Sequence, residues 1–237
     1  MEPAEYQLMD AEEAGMWWYR ALHARLLDAL HGARGEVLDA GCGTGGLLKR
    51  LAACPELTGI GLEWEAEAAR RAMEKSGAPV ARGSVNALPF ADARFDAAIV
   101  ADVLCHRAVD PAAALAELRR VLRPGGILLV NMPAYEWLLS DHDRLVHNAR
   151  RQSARRVRAM LGGAGFADIR ARYWNGLLLP LMVARRKIFP PRRNSASDVS
   201  RFSPWLNATL HTVAEIERHL PMRLPVGGSV LATARRP

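Results

Sequence analysis

The sequence lacks the long apolar runs that membrane-spanning helices require. Its 237 residues contain no uninterrupted apolar stretch of roughly 18 to 20 residues, the length that crosses a bilayer. The first residues, MEPAEYQLMDAEEAG, are acidic, whereas a secretory signal starts basic and continues apolar. We therefore expect a cytoplasmic protein with no transmembrane segment.

Cysteine is also scarce. Cys42, Cys54 and Cys105 are odd in number and lack the paired spacing of zinc ligands, so the sequence predicts neither a disulfide framework nor a zinc site. Internal repeats and low-complexity segments are absent as well, and 50% of the residues are apolar while 24% are charged. These proportions predict a globular chain and exclude the disordered and fibrous classes.

Acidic residues are nearly absent from one long segment. Residues 144–193 contain thirteen arginines and lysines and a single acid, Asp168, in a chain whose net charge is +7. Such a basic block suits an anionic partner, for example a phosphate-bearing substrate, nucleic acid or a membrane surface. The alternative is that these arginines lie on a solvated helix face and bind no partner. Only three of the thirty-two basic residues are lysine, so the abundance of arginine also fits the codon usage of a GC-rich genome.

The chain does contain a regular alternation of short apolar runs and helical patterns. The apolar runs are interpreted as seven strands, at residues 36–40, 57–62, 79–82, 95–101, 126–131, 167–173 and 229–235. Helical patterns lie between them, and several of the runs are apolar on both faces, as in a buried parallel sheet. The alternation predicts the α/β fold class with a Rossmann-like, doubly wound sheet.

The predicted organisation is a single domain over residues 1–237. A cap helix covers residues 10–31, the core covers 35–175, a helical insertion covers 176–220 between the last two strands, and the last strand lies within 221–237. The insertion includes a helix with one apolar face, and we expect it to pack over the sheet as a lid.

The most informative segment is VLDAGCGTGG at residues 37–46. A strand ends at Asp39, and Gly41, Gly43 and Gly45 then allow a tight turn with close approach of the backbone to a ligand. Dinucleotide-binding proteins use a related glycine pattern. Here, however, an acid stands two residues before the first glycine, where it repels a pyrophosphate and attracts a cationic amino group.

This segment resembles the first motif of class I S-adenosylmethionine-dependent methyltransferases. Three further segments are similar to the family in the same order, namely GIGLEW at 59–64, ALPFADARFDAAIVADVLCH at 87–106 and LRRVLRPGGILLVNMP at 118–133. Other features, such as WWYR at 17–20, resemble a bacterial subgroup of largely uncharacterised methyltransferases. The resemblance implies a seven-stranded fold, S-adenosylmethionine as the cofactor and an enzyme that transfers methyl groups.

The resemblance also implies which residues contact the cofactor. Glu63 corresponds to the acid that binds both ribose hydroxyls. Trp64 follows it with a flat apolar side chain that suits the adenine, and packing at the start of the next helix is the alternative. The family often has an acid after the third strand, where this chain has Ser84 and Val85. For Asp102, capping of the next helix is the alternative role. The predicted cofactor residues are Asp39, Gly41, Cys42, Gly43, Glu63, Trp64, Ser84, Val85 and Asp102.

Four residues are candidates for proton transfer to or from the acceptor. Methyl transfer from a sulfonium is an in-line displacement that needs positioning and exclusion of water, and a nearby base assists an acceptor that loses a proton. The candidates are His106 after the fourth strand and Tyr135, His142 and His147 after the fifth. A metal site at the last two histidines is the alternative, but their spacing gives no shared helix face, and we predict no metal.

We expect the acceptor to be a small or lipid-linked metabolite that is methylated on oxygen. Arg150, Arg151, Arg155 and Arg156 follow the histidine loop directly and suit a phosphate or carboxylate of the acceptor. Methylation of nitrogen, carbon or sulfur, or a noncatalytic cofactor-binding or scaffold role, stays open. Nucleic acid is not favoured, because the segment after the fourth strand is ADVLCH and not the N/D-P-P-Y/F loop of base-amino methyltransferases.

The insertion contains a short apolar segment at residues 177–183 that is followed by Arg185, Arg186 and Lys187. Seven apolar residues are far too few to span a bilayer, but an apolar segment with basic neighbours suits contact with an anionic lipid surface. A kinked lid over the pocket and an oligomer interface are the alternatives.

Overall fold

The computed structural model describes residues 3–188, 202–222 and 224–237, without the side chains of residues 3–5, 141–142 and 188. The strands are β1 (Gly35–Ala40), β2 (Leu57–Glu63), β3 (Val80–Arg82), β4 (Phe95–Ala101), β5 (Leu122–Pro133), β6 (Ala167–Trp174) and β7 (Ser229–Arg235). The helices are α1 (Pro3–Glu12), α2 (Trp17–Ala29), α3 (Gly46–Leu51), α4 (Ala66–Ser76), α5 (Pro111–Val121), α6 (Asp141–Leu145), α7 (Ala154–Gly163), α8 (Leu179–Val183) and α9 (Pro204–His219). A 3₁₀ turn (Glu136–Leu138) precedes α6, and a π-helical turn (Ala184–Ile188) continues α8.

The described strands pair into one seven-stranded sheet in the order β3-β2-β1-β4-β5-β7-β6. β7 runs antiparallel to β5 and β6, and the other neighbouring strands are parallel. The predicted α/β class and Rossmann-like sheet are therefore confirmed. As a consequence of this topology, the carboxyl ends of β1, β2, β4, β5 and β6 meet at one edge of the sheet, which is also where β7 begins.

Successive residues of the central strands face opposite sides of the sheet, and both sides are buried. Val37, Ala97 and Ile99 belong to an apolar cluster that includes α2, α3 and α9. Leu38 and Ala98 belong to a second cluster that includes α5 and α7 on the other face. The core therefore occupies both faces of the sheet, as expected for parallel strands that are covered by helices.

The chain start differs from the single helix predicted over residues 10–31, because α1 and α2 are separated at residues 13–16. Met16 has an extended backbone with φ −66° and ψ 131°. Glu13 turns inward and accepts a hydrogen bond from the Thr44 hydroxyl at 2.7 Å, and it also forms an ion pair with Lys75. The break between α1 and α2 lets Glu13 reach Thr44 and Lys75. The spacing of apolar residues in the sequence does not predict these polar contacts.

The described parts of the insertion are helical, and α9 is tied to the end of β6. The Glu217 carboxylate of α9 accepts hydrogen bonds from the backbone N–H groups of Asn175, Gly176 and Leu177 at 2.5, 2.7 and 2.9 Å. Residues 189–201 of the predicted lid, which include Pro190, Pro191, Arg192 and Arg193, lie outside the described residues. None of the helices that the structure describes is long and apolar enough to cross a bilayer.

Candidate functional site

A cavity of about 1240 Å³ borders the carboxyl edge of the sheet. We call its lining residues within 6–13, 39–47, 62–64 and 83–86 the cofactor half, and those within 16–26, 101–109, 133–151, 175–186, 202–210 and 228–229 the acceptor half. The nine residues that the sequence predicts for the cofactor all line this cavity. The fold thus brings together motifs that are separated by more than sixty positions in the chain.

The glycine-rich turn after β1 has a backbone that only glycine adopts easily. Gly41, Gly43 and Gly45 have positive φ angles of 96°, 55° and 88°, which side chains with a Cβ rarely tolerate. At Gly45, a Cβ would also lie 2.7 Å from the Cα of Ala72 in α4. Both the backbone conformation and the close packing of α4 therefore require glycine at this turn.

Asp39 is a buried carboxylate in a region with excess negative charge. It is 3% exposed at the end of β1. Burial, and then the charges of Glu63 and Glu13, raise the pKa of Asp39 to about 7. A cationic group beside Asp39 would favour its ionised form, whereas a pyrophosphate would add to the repulsion. The cofactor half therefore fits a cation.

Glu63, at the end of β2, is oriented by backbone N–H groups. Its Oε1 accepts hydrogen bonds from Trp64 at 2.9 Å and Glu65 at 3.0 Å, and its Oε2 accepts one from Gly43 at 2.9 Å. Burial raises the pKa of Glu63, although these hydrogen bonds favour the charged form. The carboxylate is thereby fixed beside the glycine turn, where the resemblance places a ligand of the ribose.

The sequence did not reveal that α1 covers the cofactor half. The Tyr6 hydroxyl donates a hydrogen bond to Glu63 Oε1 at 3.2 Å, and the Met9 methyl group lies 2.7 Å from where a Cβ on Gly43 would be. Ion pairs of Asp10 with α4 hold the helix in place. The spacing of Tyr6, Met9 and Asp10 matches no motif, so only the structure identifies them.

The predicted adenine end of the cavity is formed by the loops after β2 and β3. Trp64 is 73% exposed at the rim, whereas Val85 is buried. The Ser84 hydroxyl oxygen accepts a hydrogen bond from the Asn86 N–H at 3.1 Å, and Asn86 Oδ1 accepts one from the Asp110 N–H at 3.0 Å. Asn86 therefore holds the two loops together, and the adenine contact of Ser84 stays a prediction.

Asp102 follows β4 in a left-handed backbone conformation, with φ 54°, that is uncommon for residues other than glycine. Both of its carboxylate oxygens accept from Asn131 Nδ2 at 3.0 Å, and Asn131 Oδ1 accepts from the Trp174 indole N–H at 2.8 Å. Burial raises the pKa of Asp102 to about 6, although the Asn131 hydrogen bond and Arg151 oppose the shift. The alternative role as a helix cap is wrong, because Asp110 caps α5.

The structure brings only some of the predicted proton-transfer residues to the cavity. His106 and His147 line the acceptor half, and burial lowers the pKa of His106 to about 4. The side chain of His142 lies outside the described part of the structure. Tyr135 is not among the described lining residues, and its ring stacks on Tyr173 at 5.3 Å against the other apolar cluster, so its role in proton transfer stays a prediction. Among the described residues, no three metal-ligating side chains gather to hold a metal ion.

Of the four arginines predicted to hold the acceptor, Arg150 and Arg151 are engaged in contacts within the fold. Arg151 pairs with Asp143 at 2.8 Å, with side chains that are 5% and 1% exposed, and Arg186 of the insertion lies 3.5 Å from the same carboxylate. Arg150 donates to backbone carbonyls of the loop after β4, and Arg156 forms an ion pair on the surface. Of the four, all of which the structure describes, only Arg151 lines the cavity.

Comparison with known families and proteins supports the interpretation of the cofactor half. Residues 38–130 match the model of the methyltransferase domain family. An uncharacterised protein of a Streptomyces fradiae transposon is 41% identical over 53% of this chain and 38% of its own length. A 24-methylenesterol C-methyltransferase from Oryza sativa subsp. japonica is 32% identical over 55% and 38%. An O-methyltransferase from Penicillium expansum is 35% identical over 46% and 41%.

The chain therefore spans about two fifths of the length of these curated relatives. The fold matches over nearly the whole chain, since a crystal structure from Thermotoga maritima, titled as a possible histamine N-methyltransferase, covers 99% of this chain and 96% of its own with a TM-score of 0.62 and 19% identity. Residues 38–130 thus resemble a methyltransferase domain, as the sequence motifs predict, and the chain has the fold of the Thermotoga maritima structure.

Proposed function

We propose that the protein transfers a methyl group from S-adenosylmethionine to an oxygen atom of a small or lipid-linked metabolite. The observation that carries this proposal is the acidic, buried cofactor half, in which Asp39 and Glu63 lie at the ends of β1 and β2 beside the glycine turn. S-Adenosylmethionine bears a sulfonium and an ammonium group, and both suit a pocket with surplus carboxylates. The pyrophosphate of a dinucleotide would be repelled by these carboxylates.

The residues of the cofactor half divide the binding work in this proposal. Asp39 attracts the cationic amino acid part, Glu63 accepts hydrogen bonds from the ribose, and the turn from Gly41 to Gly45 allows close approach of the backbone. Trp64, Ser84 and Val85 are proposed to contact the adenine. When bound, the cofactor supplies an electrophilic methyl group, and the protein supplies positioning and a site without bulk water.

We assign the proton-accepting role to Asp102 in preference to His106. Both residues line the acceptor half, but burial holds the pKa of His106 at about 4 and that of Asp102 at about 6. Because base strength increases with pKa, the Asp102 carboxylate is the better proton acceptor near neutral pH. Asn131 orients the carboxylate, and neutral His106 is left as a hydrogen-bond partner for the acceptor.

The class of acceptor is inferred from the relatives and from the size of the cavity. The O-methyltransferase relative supports oxygen as the methylated atom, and the sterol relative supports a lipid-like acceptor, with carbon as the alternative atom. A cavity of about 1240 Å³ exceeds the roughly 300 to 1,000 Å³ of typical small-ligand pockets. That volume leaves room for an acceptor beside the cofactor.

Calorimetric titration with S-adenosylmethionine and S-adenosylhomocysteine tests the cofactor part of the proposal. We expect saturable binding that Glu63→Ala weakens at least tenfold. An assay of homocysteine release with panels of hydroxylated metabolites and lipids then separates an enzyme from a noncatalytic binding protein. Saturable binding without turnover on any panel would favour the noncatalytic alternative, and no binding at all would refute the proposal.

We further propose that the insertion touches an anionic lipid surface. Leu177 and Leu181 are 43% and 54% exposed, and basic residues of the π-helical turn follow them in the chain. Such a pairing of apolar and basic side chains favours the surface of anionic membranes. Cosedimentation with anionic and neutral vesicles at low and high salt tests this contact, and no binding to anionic vesicles at low salt would contradict it.

A further inference from the structure

The cavity is divided by charge. The carboxylates of the cofactor half are Glu13, Asp39 and Glu63. The described lining of the acceptor half instead contains five arginines, Arg107, Arg144, Arg151, Arg185 and Arg186, against two carboxylates. Those carboxylates, Asp102 and Asp143, are held by Asn131 and by the buried pair with Arg151. The two halves therefore have opposite net charge, and the acceptor half favours a negatively charged group.

The same half also has a broad apolar wall. Trp18 of α2 stacks on Trp174 with ring centroids 6.2 Å apart. Leu178 and Met182 at the start of the insertion and Leu210 of α9 complete the wall. Side chains from three separate elements thus form a surface that suits an aliphatic or ring-containing chain.

Asn175 is a buried polar residue in the lining of the same half. It is 1% exposed and lines the cavity, and neither its Nδ2 nor its Oδ1 has a hydrogen-bond partner among the described residues. Its φ of 62° adds backbone strain. Because an unpaired buried amide costs about 1 to 3 kcal/mol, this amide indicates a ligand group that completes its hydrogen bonds.

The polar groups span a long site. Asp102 follows β4 and Asn175 follows β6, and these two strands lie three positions apart in the sheet order. At a strand spacing of roughly 4.8 Å, this places them about 14 Å apart along the edge of the sheet. A ligand that reaches both ends must be elongated.

We infer that the acceptor is an elongated anionic amphiphile, with a carboxylate or phosphate group among the arginines of the acceptor half and an apolar chain against the wall formed by α2, α8 and α9. This inference rests on the proposed function, because it identifies the second substrate of the same site. Guanidinium groups bind carboxylate and phosphate through the same paired N–H geometry. Either group therefore suits these arginines. The Asn175 amide binds a second polar group near the far end of the chain.

The test uses the full chain saturated with S-adenosylhomocysteine, so that cofactor binding is established before the acceptor half is probed. The probes are decyl phosphate, decanoate, decanol and inorganic phosphate. The three amphiphiles are used at concentrations below those at which they aggregate. We expect decyl phosphate or decanoate to bind at least tenfold more tightly than decanol, and inorganic phosphate to bind too weakly to saturate. If decanol or inorganic phosphate bound as tightly as decyl phosphate, the proposal of an anionic amphiphile would be overturned.

Variants locate the anion within the cavity. Arg107→Gln combined with Arg185→Gln is expected to weaken decyl phosphate at least fivefold, while binding of S-adenosylhomocysteine stays within twofold. The matched control is Arg170→Gln, an exposed arginine on β6 that is not among the described lining residues. Unchanged binding in the double variant, or equal loss in the control, would refute the placement of the anion.

A third variant tests the far end of the site. Asn175→Gly removes the side-chain amide, and glycine readily adopts the positive φ of this position. It should weaken a decyl phosphate with a terminal hydroxyl at least threefold and leave decyl phosphate unchanged. Equal effects on both probes would contradict the Asn175 contact. Anionic vesicles that bind the protein although no monomeric probe does would assign the arginines to a surface contact and reject the cavity site.

Discussion

The two halves of the cavity are built in different ways. In the cofactor half, neighbouring turns hold one another through backbone groups, as when Gly43 and Trp64 donate to Glu63. In the acceptor half, side chains that are distant in sequence meet, as when Asp143 pairs with Arg186. Backbone contacts within a turn require a short sequence motif with fixed spacing. Side-chain contacts require only two suitable residues that the fold brings together, at no fixed separation in the sequence. The cofactor half is consequently recognisable in the sequence and the acceptor half is not.

The largest effect that would sharpen this comparison is expected at the buried ion pair of the acceptor half. Arg151→Met leaves the Asp143 carboxylate, with a side chain that is 1% exposed, without its bidentate partner. Arg186 remains at 3.5 Å from that carboxylate, but a buried charge that loses its bidentate partner is costly, so we expect the free energy of unfolding to fall by about 3 kcal/mol. Urea denaturation measures this change.

The control is Arg156→Met, since Arg156 pairs with Glu136 at 2.8 Å with both side chains about 60% exposed. Exposed pairs contribute little, so the change should stay under about 0.5 kcal/mol. Affinity of both variants for S-adenosylhomocysteine should remain within twofold of the unmodified protein. A large loss of that affinity in Arg151→Met would show that the halves are coupled and would break the comparison.

The next effect concerns the turn of the cofactor half. Gly45 and Gly77 both have positive φ, of 88° and 71°, but a Cβ would meet Ala72 at 2.7 Å only at Gly45, and nothing within 4 Å at Gly77. We expect Gly77→Ala to lower the free energy of unfolding by about 1 kcal/mol and Gly45→Ala by about 2 to 3 kcal/mol.

Thermal or urea unfolding of the two variants measures this difference. Gly45→Ala should also weaken S-adenosylhomocysteine, whereas Gly77→Ala should leave its affinity unchanged. Equal destabilisation by the two substitutions would mean that α4 yields to a methyl group, and that close packing does not maintain the turn.

The same contrast explains what the sequence predicted. The strands followed from apolar runs and the turn after β1 from a glycine pattern, because backbone conformation imposes those residue types locally. The other cofactor residues are implied by the family resemblance and stay predictions. The link from Trp174 through Asn131 to Asp102 joins three strands, and no single segment contains a sign of it. The surroundings of Tyr135 were not predictable for a related reason, since its ring packs on Tyr173, which lies in a strand far along the chain.

A pH dependence of about tenfold is expected in the cofactor half. Burial and neighbouring carboxylates raise the pKa of Asp39 from 3.8 to about 7. In the cofactor-free protein Asp39 therefore holds a proton between these values, and its contribution to folding stability falls as the pH rises through that window. A bound cation lowers the pKa of Asp39 again, so affinity for S-adenosylmethionine should rise about tenfold between roughly pH 6 and pH 8.

Calorimetry at several pH values, with proton release read from buffers of different ionisation enthalpy, measures this linkage. Asp39→Asn should remove most of the pH dependence and bind more weakly at high pH. A pH dependence that persists in Asp39→Asn would assign the titration to another group, with Glu63 the first to examine because burial raises its pKa as well.

The smallest effect is expected where α1 covers the cofactor half. The Tyr6 hydroxyl donates to Glu63 Oε1 at 3.2 Å, and the proposed function assigns this carboxylate to the ribose. Binding then requires this hydrogen bond to be exchanged for one from the cofactor, and because such exchanges are worth about 0.5 to 1.5 kcal/mol, Tyr6→Phe should tighten S-adenosylhomocysteine by roughly threefold. Met9→Leu, on the same helix, removes no hydrogen bond and should leave the affinity unchanged. Weaker binding in Tyr6→Phe would instead mean that the hydroxyl supports the bound ribose, and α1 would then belong to the cofactor site and not merely to its cover.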